Sequence, residues 1–115
     1  MIKKTVTDYY DEIAQEYDEL FYISKRAYSP LQERQKLMLD LMDEEAFIQT
    51  SKVLDIGCGP GEMLLEIAER GFETWGIDIS NEMIALARNK IGKKYKNIYL
   101  GVGDIENLPF DDDFF

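Results

Sequence analysis

Three aspartates in this sequence each stand at or just beyond the end of a short apolar stretch, and their side chains are well suited to binding a polar ligand. They are Asp55, Asp78 and Asp104. A carboxylate accepts hydrogen bonds from hydroxyl and amine groups and attracts positive charge. Open parallel sheets bind ligands at the carboxyl ends of their strands. If the three stretches are parallel strands, the three carboxylates should therefore converge on one ligand.

A glycine-rich loop begins directly after the first of these acids, in the arrangement Asp55-x-Gly57-x-Gly59-x-Gly61. Glycines allow a tight turn and let a ligand approach backbone N–H groups without meeting a Cβ atom. A dinucleotide fingerprint would need glycine where Glu62 stands, and a P-loop would need lysine directly after Gly61. Neither is present, and the acidic surroundings favour a ligand with positive charge over a bare phosphate.

The elements that position these residues are predicted from apolar periodicity and from helix caps. Short apolar runs predict strands over 53–56, 73–78 and 96–103, the last with Ile98, Leu100 and Val102 alternating. Helical periodicity predicts helices over 62–70 and 80–91, ended by Gly71 and Gly92 and, for the second, begun by Ser80 as N-cap. Asp78 then lies about 20 residues beyond the glycine loop, where a β-α-β unit places a carboxylate beside a bound ribose.

Two more helices are predicted before the first strand. The first covers 7–22, with Thr7 or Asp8 as its cap and with one apolar face made of Tyr10, Ile13, Ala14, Tyr17, Leu20 and Phe21.

The second of these helices begins with Ser29 as N-cap, Pro30 in its first turn and Gln32 closing a capping box, and it runs to about residue 47 or 48. Its apolar stripe is interpreted as core packing rather than as a substrate groove, and consists of Leu31, Met38, Leu41 and Met42.

Composition limits the function classes. The 115 residues suffice for one domain at most, and a net charge of −10 argues against a nucleic-acid partner. The only cysteine, Cys58, excludes an internal disulfide and is typical of a reducing compartment. No signal peptide, membrane span or metal-ligand cluster is predicted, so we expect a cytoplasmic protein without a membrane partner or a bound metal. The basic cluster near the end of the last helix is interpreted as a solvated face: Lys90, Lys93, Lys94 and Lys96.

The glycine loop, the string Tyr9-Tyr-Asp-Glu-Ile-Ala-Gln-Glu-Tyr-Asp18 and the string Gly103-Asp-Ile-Glu-Asn-Leu-Pro-Phe110 together resemble the class I S-adenosylmethionine-dependent methyltransferases. The resemblance is to the small-molecule type, similar to the enzymes of ubiquinone and menaquinone biosynthesis. It implies a Rossmann-like three-layer α/β fold, S-adenosyl-L-methionine as cofactor and a small-molecule methyl acceptor.

The resemblance also implies roles for single residues. The glycine loop would hold the cofactor through Asp55, Gly57, Cys58, Gly59 and Gly61. By the same resemblance Asp78 would bind the ribose hydroxyls, Ile79 would pack on the adenine, and Asp104 with Ile105 would read the adenine edge. In the family a tyrosine of the first helix can reach the cofactor, which makes Tyr17 a candidate; packing of that helix is the other role open to it. Catalytic residues are not assigned, and the absence of histidine removes the most usual general base.

The family fold has seven strands, of which three are predicted here. We therefore expect an incomplete fold, with two N-terminal helices followed by β-α-β-α-β. Residues 1–50 would form a helical lid, and residues 51–115 would form the first half of the Rossmann-like domain, truncated before the fourth strand and inactive by itself. The first strand would then be an exposed sheet edge, which predicts a homodimer or a swapped oligomer.

Two other functions are compatible with these residues. One is a catalytically inactive module that binds a nucleotide-like ligand. The other is a nicotinamide-dependent oxidoreductase with a degenerate fingerprint, against which Glu62 counts because it occupies the position of the third glycine.

Overall fold

A computed structural model describes residues 5–19, 30–44 and 51–115. Within these residues the chain has the expected α/β architecture, with a Rossmann-like order of elements. The helices and strands are α1 (Val6–Asp18), α2 (Pro30–Glu44), β1 (Lys52–Ile56), α3 (Glu62–Glu69), β2 (Glu73–Asp78), α4 (Asn81–Ile91) and β3 (Ile98–Val102).

The three strands form one parallel sheet in the order β1-β2-β3. Leu54 of β1 is opposite Trp75 of β2, which is opposite Tyr99 of β3. The predicted bounds of the second strand are confirmed, whereas the third strand is shorter than predicted. The alternation expected there was wrong at Val102, which is exposed because it lies at the end of the strand, beyond the reach of the helices. The parallel order places all three carboxyl ends at one edge, where a ligand site is expected.

The core lies between this sheet and the two helices that follow the glycine loop and β2. Leu64 of α3, Ile84 of α4 and Cys58 form a buried cluster on which Ile98 and Leu100 of β3 pack. The fit leaves no spare room at Gly76, where a Cβ atom would lie 2.4 Å from Leu64 Cδ1. Burial of these apolar side chains holds α3 and α4 on the same face of the sheet.

The opposite face of the sheet carries an aromatic cluster. Successive side chains of a strand point to opposite faces, so Trp75 points away from its buried neighbour Thr74. Its ring stacks on Tyr99 at 4.8 Å and meets the rings of Phe114 and Phe115 edge-on, at 5.3 and 5.4 Å. The segment after residue 110 is thereby packed against the sheet, an arrangement that the sequence analysis did not predict.

Helix α1 begins at Val6, one residue earlier than predicted, because its N-cap is Thr5 rather than Thr7 or Asp8. Thr5 Oγ1 accepts a hydrogen bond from the backbone N–H of Asp8, and Asp8 Oδ2 accepts one from the N–H of Thr5. This is a capping box in which aspartate takes the place of the usual glutamate. Residues 20–22, included in the predicted helix, lie outside the described residues.

Helix α2 is attached to the domain through an ion pair between Asp43 and Arg70, at 2.8 Å. The expectation that its stripe packs in the core was wrong for Met38 and Leu41, which are 53% and 45% exposed. Few residues of α2 approach α3, and Met38 faces an open, mainly apolar cavity between α2, β1 and α3 instead of a packed core. The cap predicted at Ser29 and the end predicted near 47–48 lie outside the described residues.

The caps around β2 and α4 are confirmed. Ser80 Oγ accepts a hydrogen bond from the N–H of Met83, as an N-cap does, and Gly71 ends the turn after α3 with φ of +94°. None of the helices in the described ranges is long and apolar enough to cross a membrane.

The basic cluster at the end of α4 is not uniformly solvated. Lys93, Lys94 and Lys96 are exposed, as expected. The interpretation was wrong for Lys90, whose Nζ forms an ion pair with buried Asp18 of α1 and a second one with Glu62 of α3, at 2.8 Å. Lys90 therefore joins three helices, because the fold brings two distant acids next to it.

Candidate functional site

A cavity of about 370 Å³ lies at the carboxyl ends of the strands. The sheet side of its lining comes from the loops after the three strands, and α1 covers it from the other side. Of the residues proposed from the sequence, seven line this cavity: Tyr17, Gly57, Gly59, Asp78, Ile79, Asp104 and Ile105. Asp78 and Asp104 therefore lie beside the glycine loop, as the three-strand arrangement requires.

Asp78 is the best-positioned polar group of the cavity. Its Oδ2 accepts a hydrogen bond from the N–H of Gly59 at 2.9 Å, and its Oδ1 accepts one from the N–H of Ser80, also at 2.9 Å. These two bonds fix the orientation of the carboxylate before any ligand arrives. Because each carboxylate oxygen has two lone pairs, each can accept one more hydrogen bond, which is what a pair of neighbouring ribose hydroxyls offers.

Asp104 forms the turn after β3. Its Oδ1 accepts a hydrogen bond from the N–H of Glu106 at 3.0 Å, so the turn-forming role of an aspartate after a strand is present. Its Oδ2 has no hydrogen bond to any residue that the structure describes, and Asp104 is exposed at the cavity. This oxygen is available to an amine of a ligand.

The three glycines of the loop have different surroundings. All have positive φ, which L-residues with a side chain adopt only with strain. A Cβ atom at Gly57 or Gly59 would meet nothing within 4 Å, so both backbones border open space on the cavity side. A Cβ atom at Gly61 would lie 3.0 Å from Ala87 Cβ. Gly61 therefore serves the packing of the loop on α4 and is not part of the cavity lining.

Cys58 also lies away from the cavity. Its side chain is buried against Leu64 and Ile84, and its thiol donates a long hydrogen bond to the carbonyl of Gly59. Burial, together with the nearby charges of Asp55 and Asp78, raises the pKa of the Cys58 thiol. The thiol is therefore protonated at neutral pH and has none of the character of a nucleophile.

The expected convergence of three aspartates is observed for two of them only. Successive side chains along β1 point to opposite faces, so Ile56 lines the cavity while Asp55 points away from it. Asp55 faces a separate, mainly apolar cavity between α2, β1 and α3. Burial and the charge of Asp78 together raise the pKa of Asp55 to about 6.

Replacing Asp55 by asparagine should flatten the dependence of stability on pH between about 5 and 7.5. Because the native pKa exceeds the ordinary value of 3.8, the native state binds more protons than the unfolded chain here, and stability falls as pH rises through 6. The wild type should lose about 1 kcal/mol over this interval relative to the variant. Urea denaturation at a series of pH values measures this, and parallel curves for the two proteins would contradict it.

Helix α1 supplies two cavity residues that the sequence analysis did not assign to the site. Val6 and Tyr10 line the cavity together with Tyr17. Tyr10 and Tyr17 are seven residues apart, which places them on one face of a helix two turns apart. This spacing was visible in the sequence, but Tyr10 was counted as part of a general apolar face.

The lining has a distinctive charge pattern. Two carboxylates border the cavity, and none of its described lining residues is lysine or arginine. The two carboxylates would repel the pyrophosphate of a dinucleotide, whereas they would attract a sulfonium or an ammonium group.

Residues 53–115 match a family model described as a methyltransferase domain. The chain belongs to this methyltransferase family. A ubiquinone biosynthesis O-methyltransferase of Azoarcus sp. is 41% identical over 53% of the chain and 26% of that protein. A demethylmenaquinone methyltransferase of Chlorobaculum tepidum is 32% identical over 96% of the chain and 44% of that protein. The family expected from the sequence motifs is therefore confirmed.

A solved structure shares the fold of the methyltransferase domain. It is the magnesium protoporphyrin IX methyltransferase of Synechocystis with bound S-adenosylhomocysteine, which aligns with a TM-score of 0.74 at 19% identity. The alignment covers 90% of the chain and 52% of that structure. The chain spans between 26% and 44% of the length of the curated relatives that it matches.

Proposed function

We propose that these residues bind S-adenosyl-L-methionine, as the cofactor-binding part of a methyltransferase that acts on a small molecule. The observation that supports this most strongly is the carboxylate of Asp78, oriented by the backbone N–H groups of Gly59 and Ser80 at the edge of the cavity. A carboxylate with this orientation suits the two hydroxyls of a ribose. The family membership of residues 53–115 supports the same cofactor.

Several residues of the cavity suit parts of this cofactor. Because Gly57 and Gly59 have no side chain, the space on the cavity side of the loop is left open. Any other residue at these two positions would project its side chain into that space. Asp104 Oδ2 suits the exocyclic amine of adenine, and the exposed side chain of Ile105 offers an apolar surface beside it. The absence of lysine and arginine from the described lining suits a ligand that carries no phosphate.

When bound, S-adenosyl-L-methionine supplies an electrophilic methyl carbon. Positioning and exclusion of water account for much of what an enzyme contributes to such a displacement. In the proposed mechanism Asp78 and Asp104 fix the adenosyl group, while Tyr10 and Tyr17 of α1 cover the cavity and exclude water. On this basis we propose the lid role, expected for residues 1–50, for α1; none of the described residues of α2 lines the cavity. We assign no general base.

The acceptor is proposed to be a small apolar molecule. Two of the relatives are named for quinone biosynthesis, and the exposed side chains of Ile56 and Ile105 give the cavity apolar borders. We further propose that the 115 residues bind the cofactor without turning it over, since they correspond to less than half the length of these relatives.

Calorimetric titration of the chain with S-adenosylhomocysteine, with NAD and with buffer tests the proposed cofactor. Binding of S-adenosylhomocysteine with no heat from NAD is the expected result. Saturable binding of NAD alone would favour the nicotinamide-dependent oxidoreductase, despite the lining without cations. A chain that binds S-adenosylhomocysteine but remains inactive when joined to acceptor-binding residues of a relative would favour the binding module.

We also propose that the chain self-associates through β1. The outer edge of this strand has no strand partner among the described residues, and Ile56 beside it is exposed. Unpaired strand edges pair readily with other chains. Sedimentation velocity over a hundredfold range of concentration tests this, and a monomer throughout that range would exclude it.

A further inference from the structure

Helix α1 has two functional faces. One face lines the cavity through Val6, Tyr10 and Tyr17. The second, here called the anchoring face, consists of Asp11, Ala14 and Asp18, which follow one another at helical spacing and point toward α4. Ala14 and Asp18 are only 2% and 1% exposed, although α1 lies at the surface of the domain. The anchoring face is therefore the part of α1 that fixes its position.

The first contact of the anchoring face lies at the N-terminus of α4. Asp11 Oδ1 accepts a hydrogen bond from Ser80 Oγ at 2.5 Å and another from the N–H of Glu82 at 3.2 Å. The first N–H groups of a helix have no partner within the helix, and the N-terminus attracts negative charge. Asp11 thus acts as a second cap on α4, donated by another helix.

This contact is directly connected to the cofactor cavity. Ser80 holds Asp11 through its hydroxyl and holds the carboxylate of Asp78 through its backbone N–H. Asp78 in turn accepts a hydrogen bond from Gly59 of the glycine loop. A continuous chain of hydrogen bonds therefore runs from the glycine loop through the proposed ribose-binding group to the lid.

The second contact leads to the other end of the same loop. Lys90 pairs with Asp18 of the anchoring face and with Glu62, the residue that directly follows Gly61. The first contact of α1 thus leads to Asp78 of the cavity lining, and the second ends on Glu62, which adjoins the glycine loop outside that lining. A change in the position of α1 would disturb the hydrogen bond to Ser80 and the ion pair network of Lys90.

We propose that Asp11 is a positioning residue that couples the seating of α1 to occupancy of the cofactor cavity. The coupling rests on the proposed function, but the anchoring itself does not. A ligand that fixes Asp78 also fixes Ser80, and Ser80 is the residue that donates a hydrogen bond to Asp11. Coupling of this kind is reciprocal, so seating of α1 must raise the affinity for the ligand by the same factor by which the ligand favours seating.

The first measurement needs no ligand. Hydrogen exchange of the backbone amides of α1 is followed in the wild type, in Asp11→Ala and in Asp11→Asn, with Glu16→Ala as the control from the exposed side of the same helix. The alanine variant should exchange about tenfold faster across α1. The asparagine variant should recover part of the protection, because its carbonyl oxygen can still accept from Ser80 and Glu82. Equal exchange in the wild type and Asp11→Ala would overturn the anchoring role.

The second measurement is the affinity for S-adenosylhomocysteine by calorimetric titration. Asp11→Ala should bind it about tenfold more weakly than the wild type, with Glu16→Ala unchanged, although Asp11 is not in the cavity lining. Faster exchange of α1 with an unchanged affinity would overturn the coupling and leave the proposed function intact. A wild type that does not bind S-adenosylhomocysteine would overturn the proposed function and the coupling with it, while the exchange measurement still decides the anchoring role.

Discussion

Asp78→Asn should weaken binding of S-adenosylhomocysteine about a hundredfold. The substitution keeps the size of the side chain but removes its charge and replaces one acceptor oxygen by a donor. That nitrogen must then face the N–H of Gly59 or of Ser80, so one of the two bonds that orient the group is lost. The charged hydrogen bonds to the ribose weaken as well, and a total loss of about 3 kcal/mol corresponds to this factor.

Calorimetric titration measures the affinity of this variant. Glu73→Gln is the matched control, since it makes the same chemical change at the opposite end of the same strand, where the side chain is exposed and away from the cavity. Circular dichroism shows whether each variant is folded. If folded Asp78→Asn binds as tightly as the wild type, the ribose role of Asp78 is excluded.

Lys90→Met should lower the free energy of unfolding by about 3 kcal/mol. The methionine fills most of the volume of the lysine stem but leaves the buried carboxylate of Asp18 without its cation, and it also frees Glu62. An uncompensated buried charge is among the most costly consequences of a single substitution. Urea denaturation followed by circular dichroism measures the loss.

Two further variants separate this effect from a general effect of removing charge. Lys93→Met makes the same change at an exposed position just beyond α4 and should alter stability by less than about 0.5 kcal/mol. Asp18→Asn combined with Lys90→Met removes both charges and should regain much of the loss, because no buried charge is left unpaired. A single variant Lys90→Met as stable as the wild type would show that the ion pair does not hold the helices together.

The parts of the fold that could be predicted are those set by local sequence. The bounds of β2 follow from an apolar run between Gly71 and Ser80, whose capping roles depend only on their own residue types. The start of α1 was missed for an equally local reason. Thr5 and Asp8 form a capping box in which aspartate replaces glutamate, and the prediction did not consider that substitution.

The parts of the site that could not be predicted depend on contacts between distant residues. Lys90 and Asp18 are 72 positions apart, and no pattern in either helix indicates that they meet. The orientation of the Asp55 side chain could have been predicted more easily. Because Ile56 is the last residue of β1 and lines the cavity, the alternation of strand side chains already turns Asp55 to the other face. The motif was correctly located, but its members were treated as if all pointed toward the ligand.

The aromatic cluster has a practical consequence for work on this domain. Trp75 is the single tryptophan of the chain, and its indole lies between Tyr99 and the two phenylalanines that follow Asp113. Its fluorescence emission should therefore report, without any label, whether the last residues are seated on the sheet. Ile56, which lines the cavity, lies on this same face of the sheet, so the emission also provides an optical signal for testing whether events in the cavity reach the last residues.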